Sequence, residues 1–402
     1  MMTSKKKKGI IWGSVAVVLI VAVIVVLVCF VRFAPKINNE LFKSITPVQY
    51  EVARDFSEGY AAVKVGDQWG FIDINGDLVI EAKYEGTGAF SEGLCAVQQD
   101  GKWGFIDTAG NMVIAPAYTS VGIFSEGYCV VRSGNYYGYI NAQGEEITRL
   151  VYESAQKFSE GLAAVEYGGV WGFIDTTGKL AVELKWGAGT EFHEGLAEAF
   201  SPDETNNLSG FIDSTGALVI AADYVDANAF SEGLSAVMVK SETEENTHVW
   251  GFIDKTGVVV IDPQYEAVWD FKNGYARYGY ATSQSTYMYG YLDSSGTERT
   301  DMIYQYAYDF SEGLARVAKK DEAGMVKWGF LDEDFSEKIA LTYDEAKDFS
   351  EGYAPVRVGE KWGLIDAQGN LVLDPVFDEI NTFRNGCALV EFDGKYGYIK
   401  IK

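Results

Sequence analysis

The sequence predicts an all-β tandem-repeat fold, and three observations carry the prediction: a tetrapeptide written ten times, a glycine dipeptide written ten times, and a nearly fixed distance between them. FSEG begins at Phe56, Phe90, Phe124, Phe158, Phe230, Phe310 and Phe349, with FHEG at Phe192, FKNG at Phe271 and FRNG at Phe383. The dipeptides are Trp69-Gly70, Trp103-Gly104, Tyr137-Gly138, Trp171-Gly172, Ser209-Gly210, Trp250-Gly251, Tyr289-Gly290, Trp328-Gly329, Trp362-Gly363 and Tyr396-Gly397. Each dipeptide Gly lies 20 residues before the next Phe in all nine cases. From each Phe to the dipeptide the distance is 13 residues in six repeats and 17 to 20 in repeats five to eight, so one segment is rigidly specified and the other tolerates insertion.

The elements follow in chain order. An aromatic stands six residues before every Phe, at Tyr50, Tyr84, Tyr118, Tyr152, Trp186, Tyr224, Tyr265, Tyr304, Tyr343 and Phe377. Such a pair suits packing between neighbouring repeats. FSEG itself reads as a joint: its Gly occurs in all ten copies and suits a turn of positive φ, whereas Ser gives way to His, Lys or Arg and Glu to Asn. A catalytic Ser-Glu pair would not tolerate those exchanges within one chain. LAAV-type residues then form a short strand, and WGFID alternates with period two among strong β-formers, forming another. The D-x-x-G that follows, as at Asp73 to Gly76 and Asp107 to Gly110, is type I turn chemistry, closing a hairpin onto LVI. Repeat eight departs with Asp332-Glu333-Asp334-Phe335, where the turn is expected to distort. Each unit is therefore a three-stranded meander of about 34 residues, too small to fold alone. An open superhelix or solenoid is the expected assembly, since propellers typically hold 4 to 8 blades; a closed propeller is the alternative.

The Trp-Gly dipeptides, FSEGLAAV-type strands and WGFIDxxG turns resemble the bacterial WG-repeat family over about residues 48–402. That resemblance implies a β-rich tandem array and supplies no catalytic residues. The departures, Tyr at 137, 289 and 396 and Ser209, bear on packing rather than chemistry.

The amino-terminal end is different in kind. Residues 10–31 run 22 positions without a charge, enough for a membrane-spanning helix. Lys5, Lys6, Lys7 and Lys8 precede the run and place residues 1–9 in the cytoplasm by the positive-inside tendency. Residues 32–47 would be a tether and residues 48–402 an extracytoplasmic array at the plasma membrane. A cleaved signal peptide fits less well, because the apolar run exceeds the usual length.

The formal charge is -25, and residues 44–402 carry 26 basic against 57 acidic side chains. This argues against nucleic acid, which needs concentrated basic surface. Two histidines, His193 and His248, and four cysteines offer neither a metal-binding pattern nor a nucleophile–base motif. No catalytic, metal or cofactor residue is assigned, and the chain is expected not to be an enzyme. Cys95 and Cys129 occupy equivalent strand positions and read as small buried residues, with a bridge between them conceivable if their strands pair.

Insertions fall only between LAAV and WGFI, in consecutive repeats, which places them on one side of the array. The candidate recognition surface is Asp203, Glu204, Asn206, Glu242, Glu244, Glu245, Asp321 and Glu322 in these loops, with Trp269 and Tyr287 as aromatics outside the repeat pattern. The expected function is a membrane-anchored, outward-facing scaffold for a cell-envelope polymer, peptide or protein. A sensor or assembly factor acting through a membrane partner is the first alternative, and an enzyme the more distant one.

Overall fold

The computed structural model describes residues 34–201, 208–241, 247–282 and 287–402. The segment read as membrane-spanning lies outside these residues; among those described, no helix is long and apolar enough to cross a membrane. The described residues form ten antiparallel sheets of three or four strands, one per repeat. Blade two is representative, with strands Gly86–Ser91, Leu94–Gln99, Lys102–Asp107 and Met112–Tyr118 hydrogen-bonded in that order. Most blades thus contain a short first strand, only two residues in several, which the three-stranded reading had treated as a connection.

Period-two alternation here buries both faces of a blade. In blade two, Cys95, Val97 and Ile106 pack against Phe71 and Tyr84 of blade one, while Leu94, Ala96 and Phe105 pack against Phe124 and Ile140 of blade three. At every interface but the one after blade nine, which has Leu364, the FSEG-type Phe meets the aromatic after the preceding blade's dipeptide, as in the T-shaped pairs Phe71–Phe90, Phe105–Phe124 and Phe330–Phe349, with centroids 4.8 to 5.1 Å apart.

The expected open superhelix is corrected to a closed ten-bladed β-propeller. An open row of ten units has nine interfaces, yet a tenth apolar cluster joins Phe56, Ala61 and Ile72 of blade one to Tyr50, Leu389 and Tyr398 of blade ten. Phe56 meets Tyr398 edge-on at 5.1 Å, repeating the contact made at the other interfaces. The physical reason is strand exchange: Phe42–Ser44 pairs antiparallel with Lys395–Ile401, so the first of the described strands completes the tenth blade.

The FSEG turn is a two-residue hairpin in which both central residues are left-handed, Glu or Asn at φ 50 to 55° and Gly at 75 to 87°. A non-glycine residue there costs on the order of 1 kcal/mol. The offset comes from the next blade: Glu58 Oε1 and Oε2 accept the amides of Glu92 and Gly93 at 2.7 and 2.9 Å. Glu92, Glu126, Glu160, Glu194, Glu232, Glu312 and Glu351 repeat this in whole or part. Asn273 instead donates to the Phe310 carbonyl, and Asn385 Oδ1 accepts from Gly59, which closes the belt across blades ten and one. Ser57, Ser91, Ser125, Ser159, Ser231, Ser311 and Ser350 add a hydroxyl bond to the next Phe carbonyl.

The D-x-x-G turns form as read. Asp107 Oδ1 accepts the amides of Ala109 and Asn111, and the Asn111 side-chain bond leads the effects holding its carboxyl below the usual range. The turn at Asp332 is not distorted, contrary to expectation: Phe335 takes the left-handed position at φ 61° and meets Tyr275 and Phe310 edge-on. Cys95 and Cys129 are free and buried in different interfaces, so the conceivable bridge does not form.

Candidate recognition wall

Successive turns of a meander alternate between the two faces of the ring. FSEG and D-x-x-G turns share one face, and the variable loops share the other with the Tyr-Glu connections, as the bonds from Glu85 to the amides of Asp100 and Gly101 attest. First strands face the axis. Blades of a ring converge inward, and the directly bonded FSEG turns mark the converging side, whereas fourth strands carry exposed Leu78, Val79, Leu180, Leu218 and Val219 at the rim.

On this frame the residues singled out in sequence divide into three groups. Asp203, Glu204, Asn206, Glu242, Glu244 and Glu245 lie outside the described residues. Asp321 caps its own turn, accepting the amides of Ala323 and Met325 at 2.9 Å, beside exposed Glu322. Trp269 and Tyr287 are brought together: both pack on Tyr289, with centroids 5.3 and 6.3 Å away.

That pair begins a longer row. The Arg277 guanidinium lies 4.9 Å from the Trp269 ring and 5.8 Å from Tyr308 of blade eight; Arg316 lies 3.5 Å from Tyr308 and 5.7 Å from Trp328. Tyr306, 47% exposed, stacks on Trp328 at 5.3 Å and 17°. Both arginines are held from the following blade, Arg277 by Asp309 at 3.0 Å and Arg316 by Asp348 at 2.6 Å. Their other nitrogens bond the Ala307 and Ala346 carbonyls. The result is a fixed wall of aromatic faces and oriented guanidinium groups across blades seven and eight, suited to stacking and planar hydrogen bonding rather than to covalent chemistry.

Sequence reading missed Arg277, Arg316 and Tyr308, although a signal existed. The third residue of the LAAV strand reads Ala62, Ala96, Val130, Ala164, Glu198, Ala236, Arg277, Arg316, Pro355 and Leu389 along the ring. The three charged exceptions fall in blades five, seven and eight, within the run of blades that carries the insertions.

Glu198 is a separate departure. It is 5% exposed, its Oε1 lacks a well-formed hydrogen bond, and it stands where Ser209 replaces the blade's indole, so a carboxylate partly fills the space a Trp would occupy. Burial pushes its carboxyl up to about 7; the Ser209 hydroxyl opposes this, and the Asp226 charge adds to it. Among the described residues no group of three or more His, Cys, Asp or Glu is placed to hold a metal ion.

The WG containing repeat matches at residues 37–69, 69–103, 103–137, 137–171, 171–199, 210–241, 250–278, 289–322, 328–362 and 362–396. The chain belongs to the WG-repeat family. A matched unit that runs from dipeptide to dipeptide, such as 69–103, combines the third and fourth strands of one blade with the first two of the next. No curated protein matches this WG-repeat chain. A solved structure titled as puromycin hydrolase is similar at 12% identity and a TM-score of 0.31, covering 78% of this chain and 64% of that one. A likeness of that size carries no argument about function, and the chain spans less than two thirds of that protein.

Proposed function

We propose that this WG-repeat propeller is a non-catalytic scaffold that binds a cell-envelope polymer, peptide or protein, anchored by residues 10–31 with the ring outside the membrane. The supporting observation for binding is the row Tyr287, Tyr289, Trp269, Arg277, Tyr308 and Arg316, held in place by ion pairs from the following blades. Rigid aromatic and Arg anchors concentrate binding energy because little side-chain entropy is lost on contact. The charge-free run and the lysines before it support the anchoring.

The test is co-sedimentation of the full-length protein with purified cell-wall sacculi, alongside capture of cross-linked envelope proteins. Trp269→Ala with Tyr308→Ala should reduce retention at least about tenfold, as expected for hot-spot aromatics. Equal retention by the double variant would remove this wall as the recognition surface. Protease protection of residues 34–402 in sealed, right-side-out cells would contradict the outward orientation.

A further inference from the structure

The ring is strongly acidic, and one corner of it reverses the sign. In nine blades the residue that ends the WGFID strand and heads the next turn is Asp or Asn; in blade ten it is Lys400. The exchanged strand sets Lys43 directly opposite Lys400. Like charges facing each other across two strands are destabilising. Arg384 of the FRNG turn stands beside this pair, since the Gly386 carbonyl accepts the Ile401 amide at 2.9 Å. On the outer side the Leu41 carbonyl accepts the Lys402 amide at 2.8 Å, and the Lys402 ammonium bonds the Asn39 carbonyl. Lys36 is brought in by its neighbour Ile37, whose amide and carbonyl both bond Ser44. Residues 34–44, 384–387 and 399–402 thus hold five basic side chains against one acidic, Glu40.

None of the five forms an ion pair among the described residues, whereas Lys319, Lys327, Lys347, Lys361 and Lys395 all do. Lys36, Lys43, Arg384 and Lys402 are exposed, as is Leu41. Burial pushes the Cys387 thiol beneath them up to about 11, and the charges acting on it are Lys400, Glu351, Asp73 and Lys43. Both carboxylates are already engaged, Glu351 by the Gly386 amide and Asp73 by the amides of Asn75 and Asp77.

This corner lies on the face of the FSEG and D-x-x-G turns, and it is also where the chain enters the ring. Only residues 32–36 separate the charge-free run, which ends at 31, from Ile37, a reach of at most about 20 Å. Unpaired basic side chains around an exposed leucine, at the foot of an apolar span, are complementary to anionic lipid headgroups.

We propose that this corner is a lipid-contact site: Lys36, Lys43, Arg384, Lys400 and Lys402 meet anionic headgroups around the span, so the FSEG face of the ring turns toward the bilayer and the variable loops point away from it. The proposal rests on the anchoring read for residues 10–31 and is independent of what the aromatic wall binds.

The test reconstitutes the full-length protein into vesicles of phosphatidylcholine, alone or in equal parts with phosphatidylglycerol. A donor dye is attached at Asn75→Cys on the FSEG face or at Glu360→Cys on the variable-loop face, in a Cys29→Ala background whose other cysteines are buried. Energy transfer to a headgroup-labelled lipid should be greater from position 75 than from 360. The difference should widen with phosphatidylglycerol and shrink at high salt. Gln at Lys36, Lys43, Arg384 and Lys402 together should remove the dependence on phosphatidylglycerol and on salt. Lys43→Glu alone should weaken it while raising the melting temperature in detergent, because the facing pair with Lys400 is relieved. Equal transfer from the two positions, no response to phosphatidylglycerol, or a full response in the folded fourfold variant would overturn the proposal while the protein stays with the vesicles through an alkaline wash. Release of the parent protein by that wash would overturn the anchoring and the proposal together.

Discussion

Two kinds of blade share this ring. In the Phe kind, seen at blades one, two, four, five, six and eight and with Leu364 at blade nine, the residue after the dipeptide is apolar and the fourth strand is seven residues long. That strand bulges across the dipeptide glycine so closely that a Cβ on Gly104 would lie 2.4 Å from the Ile114 carbonyl oxygen. In the Tyr kind, at blades three, seven and ten, the residue is Tyr139, Tyr291 or Tyr398, and the fourth segment is irregular or reduced to three residues. A threonine replaces the apolar residue there. Thr148, Thr300 and Thr46 accept the amides of those tyrosines at 3.0 to 3.2 Å. The phenol then crosses to the next blade, bonding the carbonyls of Gln156, Tyr308 and Arg54 at 2.6 to 2.7 Å. Blade five decides which residue sets the class. It lacks the indole, having Ser209, yet keeps Phe211 and a regular fourth strand at Leu218–Tyr224. The class therefore follows the residue after the glycine, not the one the family is named for.

The comparison can be broken at blade five first. The folded pKa of Glu198 is raised to about 7 from 4.5, so its contribution is fully present below the unfolded value and is lost as pH rises through the folded one. Glu198→Gln should match the parent protein near pH 4 and exceed it by about 3 kcal/mol above pH 7, read from urea midpoints across that range. A constant difference would mean the carboxylate is solvated. Next comes the glycine. Gly104→Ala, forced against backbone, should cost about 2–3 kcal/mol. Gly138→Ala, whose Cβ would meet Arg149 O at 2.9 Å on an irregular segment, should cost about 1 kcal/mol. Equal losses in thermal melts would erase the distinction between classes. The smallest effect is Tyr139→Phe, which leaves the Gln156 carbonyl without its phenol and should cost about 1 kcal/mol. Phe105→Tyr in blade two should bring no matching gain.

Much of this was legible because it repeats. Ten-fold recurrence sets the blade, period two sets the strands, and Asp with Gly at fixed offsets sets the hairpins. Closure was not legible, since Phe42–Ser44 precedes the first FSEG and its partner strand, ending at Ile401, is remote in sequence. The same limit hid the role of FSEG. Sequence identified a joint and explained its Gly, but Glu at positive φ makes sense only with the neighbouring amides in view. Trp269 and Tyr287 stood out by escaping the pattern, whereas Tyr308 and Arg316 needed the wall to give them meaning.

The closing strand also orders events in time. Among the described strands Phe42–Ser44 is made first, and its partner, Lys395–Ile401, is made after all the others. Until blade ten is made, blade one lacks the neighbour that covers Phe56, and the apolar surface shared with Leu389 and Tyr398 stays open to water. A nascent chain of this protein is thus an open arc with two adhesive ends. Only once Lys395–Ile401 has been made can one end meet the other.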